Sequence, residues 1–180
     1  MSAPWRLALA ILALAAASCV AGTAPRPPED LTYSRWRALT DFTEQGVRVE
    51  IVLDEDSLGH MWLAGVYTPT DPDSYLYSAH MPAAGIQGLG RPTLLAVIPP
   101  SQVKVLGPVF ANQKPHEDRV ESLNLTLPVY PAGPVTLRLP IEMPGVGSTS
   151  RVTVAVGYMA CGPKGCMPPV ERKRLTVNLR

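Results

Sequence analysis

The last third of the chain alternates apolar and polar residues with the period of two that a half-buried β-strand requires. In "RLTVNLR", Leu175, Val177 and Leu179 alternate with Arg174, Thr176, Asn178 and Arg180, so one face suits a core and the other suits water. The pattern recurs in Leu123, Leu125 and Leu127, in Leu137, Leu139 and Ile141, and in Val152, Val154, Val156 and Tyr158. Upstream, "VRVEIVL" (Val47 to Leu53), "HMWLAGVY" (His60 to Tyr67), "SYLY" (Ser74 to Tyr77) and "TLLAVI" (Thr93 to Ile98) are further strand candidates, set between Asp, Gly and Pro clusters. The 20 prolines break long helices and protect strand edges. Short strands with such turns predict an all-β fold, an immunoglobulin-like β-sandwich.

The amino terminus follows a different pattern. Arg6 precedes "LALAILALAAAS", an apolar run too short and too Ala-rich to span a bilayer, which reads as a secretory signal. It ends in Ala16, Ala17 and Ser18 directly before Cys19, which resembles a bacterial lipobox. Residues 1–19 are therefore expected to be a lipoprotein-type signal, with cleavage before Cys19 and lipidation of Cys19, and ordinary cleavage near Ala17 or Ala24 is the alternative. The stretch 20–30, "VAGTAPRPPED", is Pro-rich and aperiodic and suits a tether, which leaves residues 31–180 for one domain. An exported protein of the bacterial periplasm, held to the membrane by a lipid anchor, is the expectation.

Charge narrows the possible partners. The 180 residues carry 16 Lys and Arg against 15 Asp and Glu, and losing Arg6 with the signal leaves 15 of each. A balanced surface is not built to follow phosphates, so no nucleic-acid partner is expected. Neither a Gly-x-Ser-x-Gly elbow nor a phosphate-binding Gly loop is present, and no cofactor is implied.

Candidate chemistry concentrates in "ACGPKGCMPP". Pro163 and Gly165 have the composition of a type I turn that would bring Cys161 and Cys166 close enough to bridge. If the strand from Arg151 runs on without a bulge, Tyr158 and Ala160 face the core and Cys161 faces away, which predicts an accessible pair. Three roles are open: a structural staple, a redox pair and a metal clip. A disulfide closing so short a ring contributes only about 2 kcal/mol. Lys164 between the cysteines would favour a thiolate by charge. In an oxidising compartment a disulfide is the default state of such a pair. His60-Met61, His80-Met81, Met159 and Met167 could join the thiols in holding copper, although scattered Met more often fills cores; no zinc or calcium set is complete.

The strand, the cysteine pair and the following Pro168-Pro169 together carry a family resemblance. "VTVAVGYMACGPKGCMPPVERKRLTVNL" resembles the carboxyl-terminal hairpin of the amino-terminal periplasmic domain of the thiol:disulfide interchange protein DsbD. "DPDSYLYSAHMPAAG", with Tyr75 and Tyr77, and "LNLTLPVYPAGPVTLRLPIEMP" are similar to other segments of that family. The resemblance implies an immunoglobulin-like domain acting as a thiol-disulfide oxidoreductase of the protein-disulfide reductase type. Electrons would pass from a membrane-embedded electron-transporting protein, or a thioredoxin-like donor, to oxidised periplasmic proteins. It implies that Cys166 forms the mixed disulfide and Cys161 resolves it, beside the paired Tyr75 and Tyr77, and Lys164 would modulate the pair through its charge. It also implies a cap loop with an aromatic residue, whose nearest counterpart is Phe110 in "GPVFANQKPHED". The multi-span and thioredoxin-like domains of full-length DsbD do not follow, so a stand-alone version with a separate donor is expected. Two alternatives stand beside this reading: a secreted β-sandwich binding module with a structural disulfide, and a copper-binding protein.

Overall fold

Strand alternation becomes sheet structure over most of the positions that carry it. The computed structural model describes residues 35–145 and 151–179. The expected signal 1–19, the linker 20–30 and Cys19 lie outside the described residues. In chain order the strands are β1 (Arg35–Glu44), β2 (Val47–Glu55), β3 (Met61–Pro69), β4 (Tyr75–Leu76), β5 (Leu94–Val97), β6 (Lys104–Val105) and β7 (Phe110–Ala111). They continue as β8 (His116–Val120), β9 (Leu125–Val129), β10 (Val135–Glu142), β11 (Arg151–Tyr158), β12 (Ala160–Gly162), β13 (Gly165–Cys166) and β14 (Val170–Asn178). The fold is all-β, an immunoglobulin-like sandwich.

The larger sheet has the order β1-β2-β3-β10-β6, with β7 also paired to β10, and the opposing sheet has the order β14-β11-β5. Alternate residues of β2 and β10, such as Val49, Ile51, Leu137 and Leu139, meet Val154 and Val156 of β11 in the main core. Tyr67 and Tyr158 pack edge to face within it at 5.9 Å. Each buried aliphatic side chain stabilises the fold by about 1.5–3 kcal/mol relative to exposure, so this interface dominates the stability.

Two short sheets, β13-β12-β4 and β8-β9, complete the structure. With Tyr77 and Met81, which follow β4, they build a second apolar cluster that includes Leu125, Leu127, Val129 and Cys161. This corrects the placing of Leu125 and Leu127, whose alternation pointed to the sandwich core and which instead cover the cysteine. Leu123, expected in the same strand, lies in a 3-10 turn over Glu121–Leu123 and is exposed. Asn124 ends that turn in the left-handed region at φ 46°, so strand geometry begins only at Leu125.

Candidate functional site: a half-buried disulfide hairpin

β12 and β13 pair antiparallel with Cys161 opposite Cys166 and Gly162 opposite Gly165. Pro163 and Lys164 form the intervening turn, and Gly165 closes it at φ 108°, a conformation that a side chain would strain. The cysteines are joined as a disulfide with a Cα–Cα distance of 4.0 Å. β4 pairs with the other edge of β12, placing Tyr75 directly opposite Cys161. Gly162 fits closely there: a Cβ would sit 2.8 Å from Ser74 Oγ and 3.3 Å from Ser74 Cα, so a side chain would displace Ser74.

The two sulfurs occupy different environments. Cys161 is 1% exposed, whereas Cys166 is exposed. The expected face was right, since Ala160 joins the main core and Cys161 points away from it, despite a register shift between Val156 and Tyr158. The expected accessibility of both cysteines was not, because β8-β9 covers that face with Leu125, Leu127 and Val129. One disulfide therefore joins a covered sulfur to an open one.

Polar groups reach the covered sulfur through the same cluster. The Tyr77 hydroxyl lies 3.1 Å from Cys161 Sγ. A disulfide sulfur has no proton, so the hydroxyl is the only donor available to this contact. The Tyr75 and Tyr77 rings are 5.9 Å apart, edge to face, and the single Tyr77 proton also has the Tyr75 oxygen as an acceptor. Tyr75 in turn donates to the carboxylate of Asp118 in β8. Burial, followed by the Tyr75 hydroxyl and the Asp118 charge, pushes Tyr77 up to about 12. Burial and then Asp118 also raise Tyr75 above its usual value. Both hydroxyls keep their protons at neutral pH and are donors.

Beside Cys166 opens a cleft of about 210 Å³ lined by Gly46, Thr70, Ser74 and Met167 among others. Lys164 is 89% exposed and ion-pairs with Asp71 at 3.2 Å. Backbone donation from Asp73, then the Lys164 ammonium, holds the Asp71 carboxyl below the usual carboxylate range. Lys164 is thus engaged by a carboxylate, so its charge is shared rather than reserved for a thiolate.

Of the residues singled out in the sequence, Cys161, Cys166, Tyr75 and Tyr77 come together, with Lys164 on the adjoining turn. Phe110 does not join them: it lies on the large sheet opposite Arg138, edge-on to Trp62 at 6.1 Å. Met81 is buried in the second cluster and Met159 packs against it, while Met167 is exposed beside Gly46. Asp118 was missed. It sits in "HEDRV", a polar segment with no alternation, and reaches Tyr75 because β8 pairs with β9, whose Val129 bridges to Tyr77.

Fold and site together define a β-sandwich whose edge carries a half-buried hairpin disulfide beneath a tyrosine pair. No family model and no curated protein matches the chain. Among solved structures it is similar to the reduced amino-terminal domain of DsbD from Neisseria meningitidis, at 18% identity over 65% of this chain and 74% of that one, with a TM-score of 0.41. It is also similar to the amino-terminal periplasmic domain of ScsB from Proteus mirabilis, at 12% identity and a TM-score of 0.48, covering 77% of this chain and half of that one.

Proposed function

We propose that this protein is a thiol-disulfide exchange domain that works through Cys166 and Cys161. The observation carrying this reading is the asymmetry of the pair: Cys166 is open to a partner, and Cys161 is covered and contacted by the Tyr77 hydroxyl at 3.1 Å. A thiolate of a reduced partner attacks Cys166 Sγ, the Cys161–Cys166 bond breaks, and Cys161 leaves as a thiolate. The Tyr77 hydroxyl, 3.1 Å from that sulfur, would turn its proton from the Tyr75 oxygen to the new thiolate. The partner's second thiol then attacks the mixed disulfide and releases Cys166. The partner dithiol has become a disulfide, and this pair a dithiol, with two electrons and two protons transferred.

Reversing these steps on an oxidised partner passes the electrons on, again through Cys166. The cleft beside Cys166 would receive the partner residues flanking its cysteine. A membrane-embedded or thioredoxin-like donor and oxidised periplasmic acceptors fit this chemistry, with residues 1–19 directing export and a lipid on Cys19 holding the domain 31–180 near its donor. Equilibrating the protein with thioredoxin or glutathione couples tests the reading. A measured potential within the range of exchange-active pairs, above about -300 mV, supports it; a lower potential, with no reduction by a thioredoxin-like donor, assigns the bond a purely structural role.

A further inference from the structure

The Tyr77 hydroxyl can serve Cys161 only while its ring keeps its place, and a single downstream segment holds it there. Buried Thr93 donates to the Tyr77 carbonyl through both its backbone N–H, at 3.2 Å, and its Oγ1, at 2.7 Å. Pro92 forms a parallel bridge with Tyr77. Gly90 closes on the ring itself: a Cβ there would sit 2.8 Å from both Tyr77 Cε1 and Met81 Cε. Residues 90–93 are thus a strap against Tyr77.

Arg91, in the middle of the strap, is the side chain that fastens it. The preceding loop is built of tight turns: Gly85 N donates to Pro82 O at 2.8 Å, and Ile86 and Leu89 exchange bonds of 3.0 Å across Gln87 and Gly88. Gln87 and Gly88 are both left-handed, at φ 52° and 83°, as a two-residue hairpin turn requires. Those turns do not use the carbonyls of Ala84, Gly88 and Gly90. Arg91 Nη1 lies 2.7 Å from Gly90 O, 3.0 Å from Gly88 O and 3.3 Å from Ala84 O, its two protons shared among the three. Arg91 Nε donates to Glu171 of β14 at 3.0 Å. Glu171 is 64% exposed, so this ion pair contributes little by itself and serves to aim the guanidinium at the loop. One planar group ties loop, strap and β14 together, which the point charge of a lysine does not reproduce.

We infer that Arg91 is a positioning residue for the proposed exchange: by fixing the strap it holds the Tyr77 hydroxyl at Cys161 Sγ. This role rests on the reading of Cys161 as the leaving sulfur. A donor held in place stabilises a charge as it develops, without having to reorganise when the charge appears. Loosening the strap should therefore weaken the contribution of Tyr77 and leave the access of a partner to Cys166 as it was.

The test is a double-mutant cycle of Arg91→Met and Tyr77→Phe in a Cys166→Ser background, with near-UV circular dichroism to establish folding. The pH dependence of Cys161 alkylation, mapped by peptide mass spectrometry, gives the titration midpoint of that thiol with no partner protein involved. Tyr77→Phe should raise the midpoint by about one pH unit, a tenfold loss of thiolate, and Arg91→Met by about half a unit or more. Adding Arg91→Met to Tyr77→Phe should raise it no further, since a residue acting through Tyr77 has nothing left to act on. If Arg91→Met does not fold, Arg91→Lys, which keeps the charge and loses the fork, takes its place in the cycle. A midpoint that Arg91→Met leaves unmoved, an equal rise in both backgrounds, or no rise in Tyr77→Phe overturns the inference. Reduction of the otherwise unaltered protein by a thioredoxin-like donor is measured separately. Failure there overturns the exchange reading, and this role with it, while the alkylation cycle still reports whether Arg91 holds Tyr77.

Discussion

Cys161 and Cys166 lie five residues apart and face one another across a two-residue turn, yet only one is open to solvent. Nucleophilic attack follows access, so in the proposed exchange Cys166 is the sulfur a partner would reach, and the rate would follow how well Cys161 departs. Tyr77→Phe removes one charge-assisted hydrogen bond to the leaving thiolate, and such bonds contribute about 1.5–3 kcal/mol. Reduction by a thioredoxin-like donor should slow by about tenfold or more in stopped-flow, while alkylation of Cys166 in a Cys161→Ser background stays unchanged. An undiminished rate would remove Tyr77 from the mechanism. The same hydroxyl has a signature in stability. Its pKa stands at about 12 in the folded protein against 10 for a free tyrosine. The folded state therefore holds the proton more tightly, and its contribution is intact below pH 10 and lost as pH rises toward 12. Urea unfolding at stepped alkaline pH should show this decline in the wild type and a shallower one in Tyr77→Phe. At this scale the sequence was informative where local composition acts: the turn at Pro163-Lys164 and the facing of Cys161 away from the main core. Asp118 was not legible, since its role depends on a contact made 43 residues from Tyr75.

The β8-β9 hairpin makes one cysteine differ from the other. Leu125, Leu127 and Val129 form the lid over Cys161. Leu127→Ala should destabilise the protein by about 2–5 kcal/mol in urea unfolding, as truncations of buried leucine do. In a Cys166→Ser background, where Cys161 is the only hairpin thiol, the same change should also speed alkylation of Cys161 well beyond the parent. Unchanged alkylation would mean that something other than this hairpin shields the sulfur. Strands β2, β10, β11 and β14 were legible because each sets alternate residues against a single core. β1 was not: a register shift between Ala38 and Thr40 puts Leu39 out of step, so Trp36, Leu39 and Phe42 lose the period of two. β8 offered no signal either, because "HEDRV" is a mostly exposed polar strand.

Across the described residues the main core and the disulfide hairpin occupy different parts of the molecule. The outer face of the large sheet buries an ion pair, with Arg138 Nη2 2.9 Å from Asp54 Oδ2 and the guanidinium 5.9 Å from the Trp36 ring centre. Removing one partner of a buried pair typically destabilises by about 3–5 kcal/mol, because the other charge is stranded. Arg138→Met should lower the urea midpoint accordingly and leave the exchange rate of the folded protein untouched, since both residues belong to the sheet that does not carry the hairpin. The sandwich class was legible from strand periodicity and turn residues alone. The division of labour was not, because no local pattern encodes which face of β12 a distant hairpin covers. The central claim is that partners enter and leave through Cys166. The most direct measurement incubates the oxidised protein with a reduced thioredoxin-like protein lacking its own resolving cysteine, then maps the trapped adduct by peptide mass spectrometry. The account predicts a single mixed disulfide on Cys166, with Cys161 recovered as a free thiol; an adduct on Cys161, or none, contradicts it.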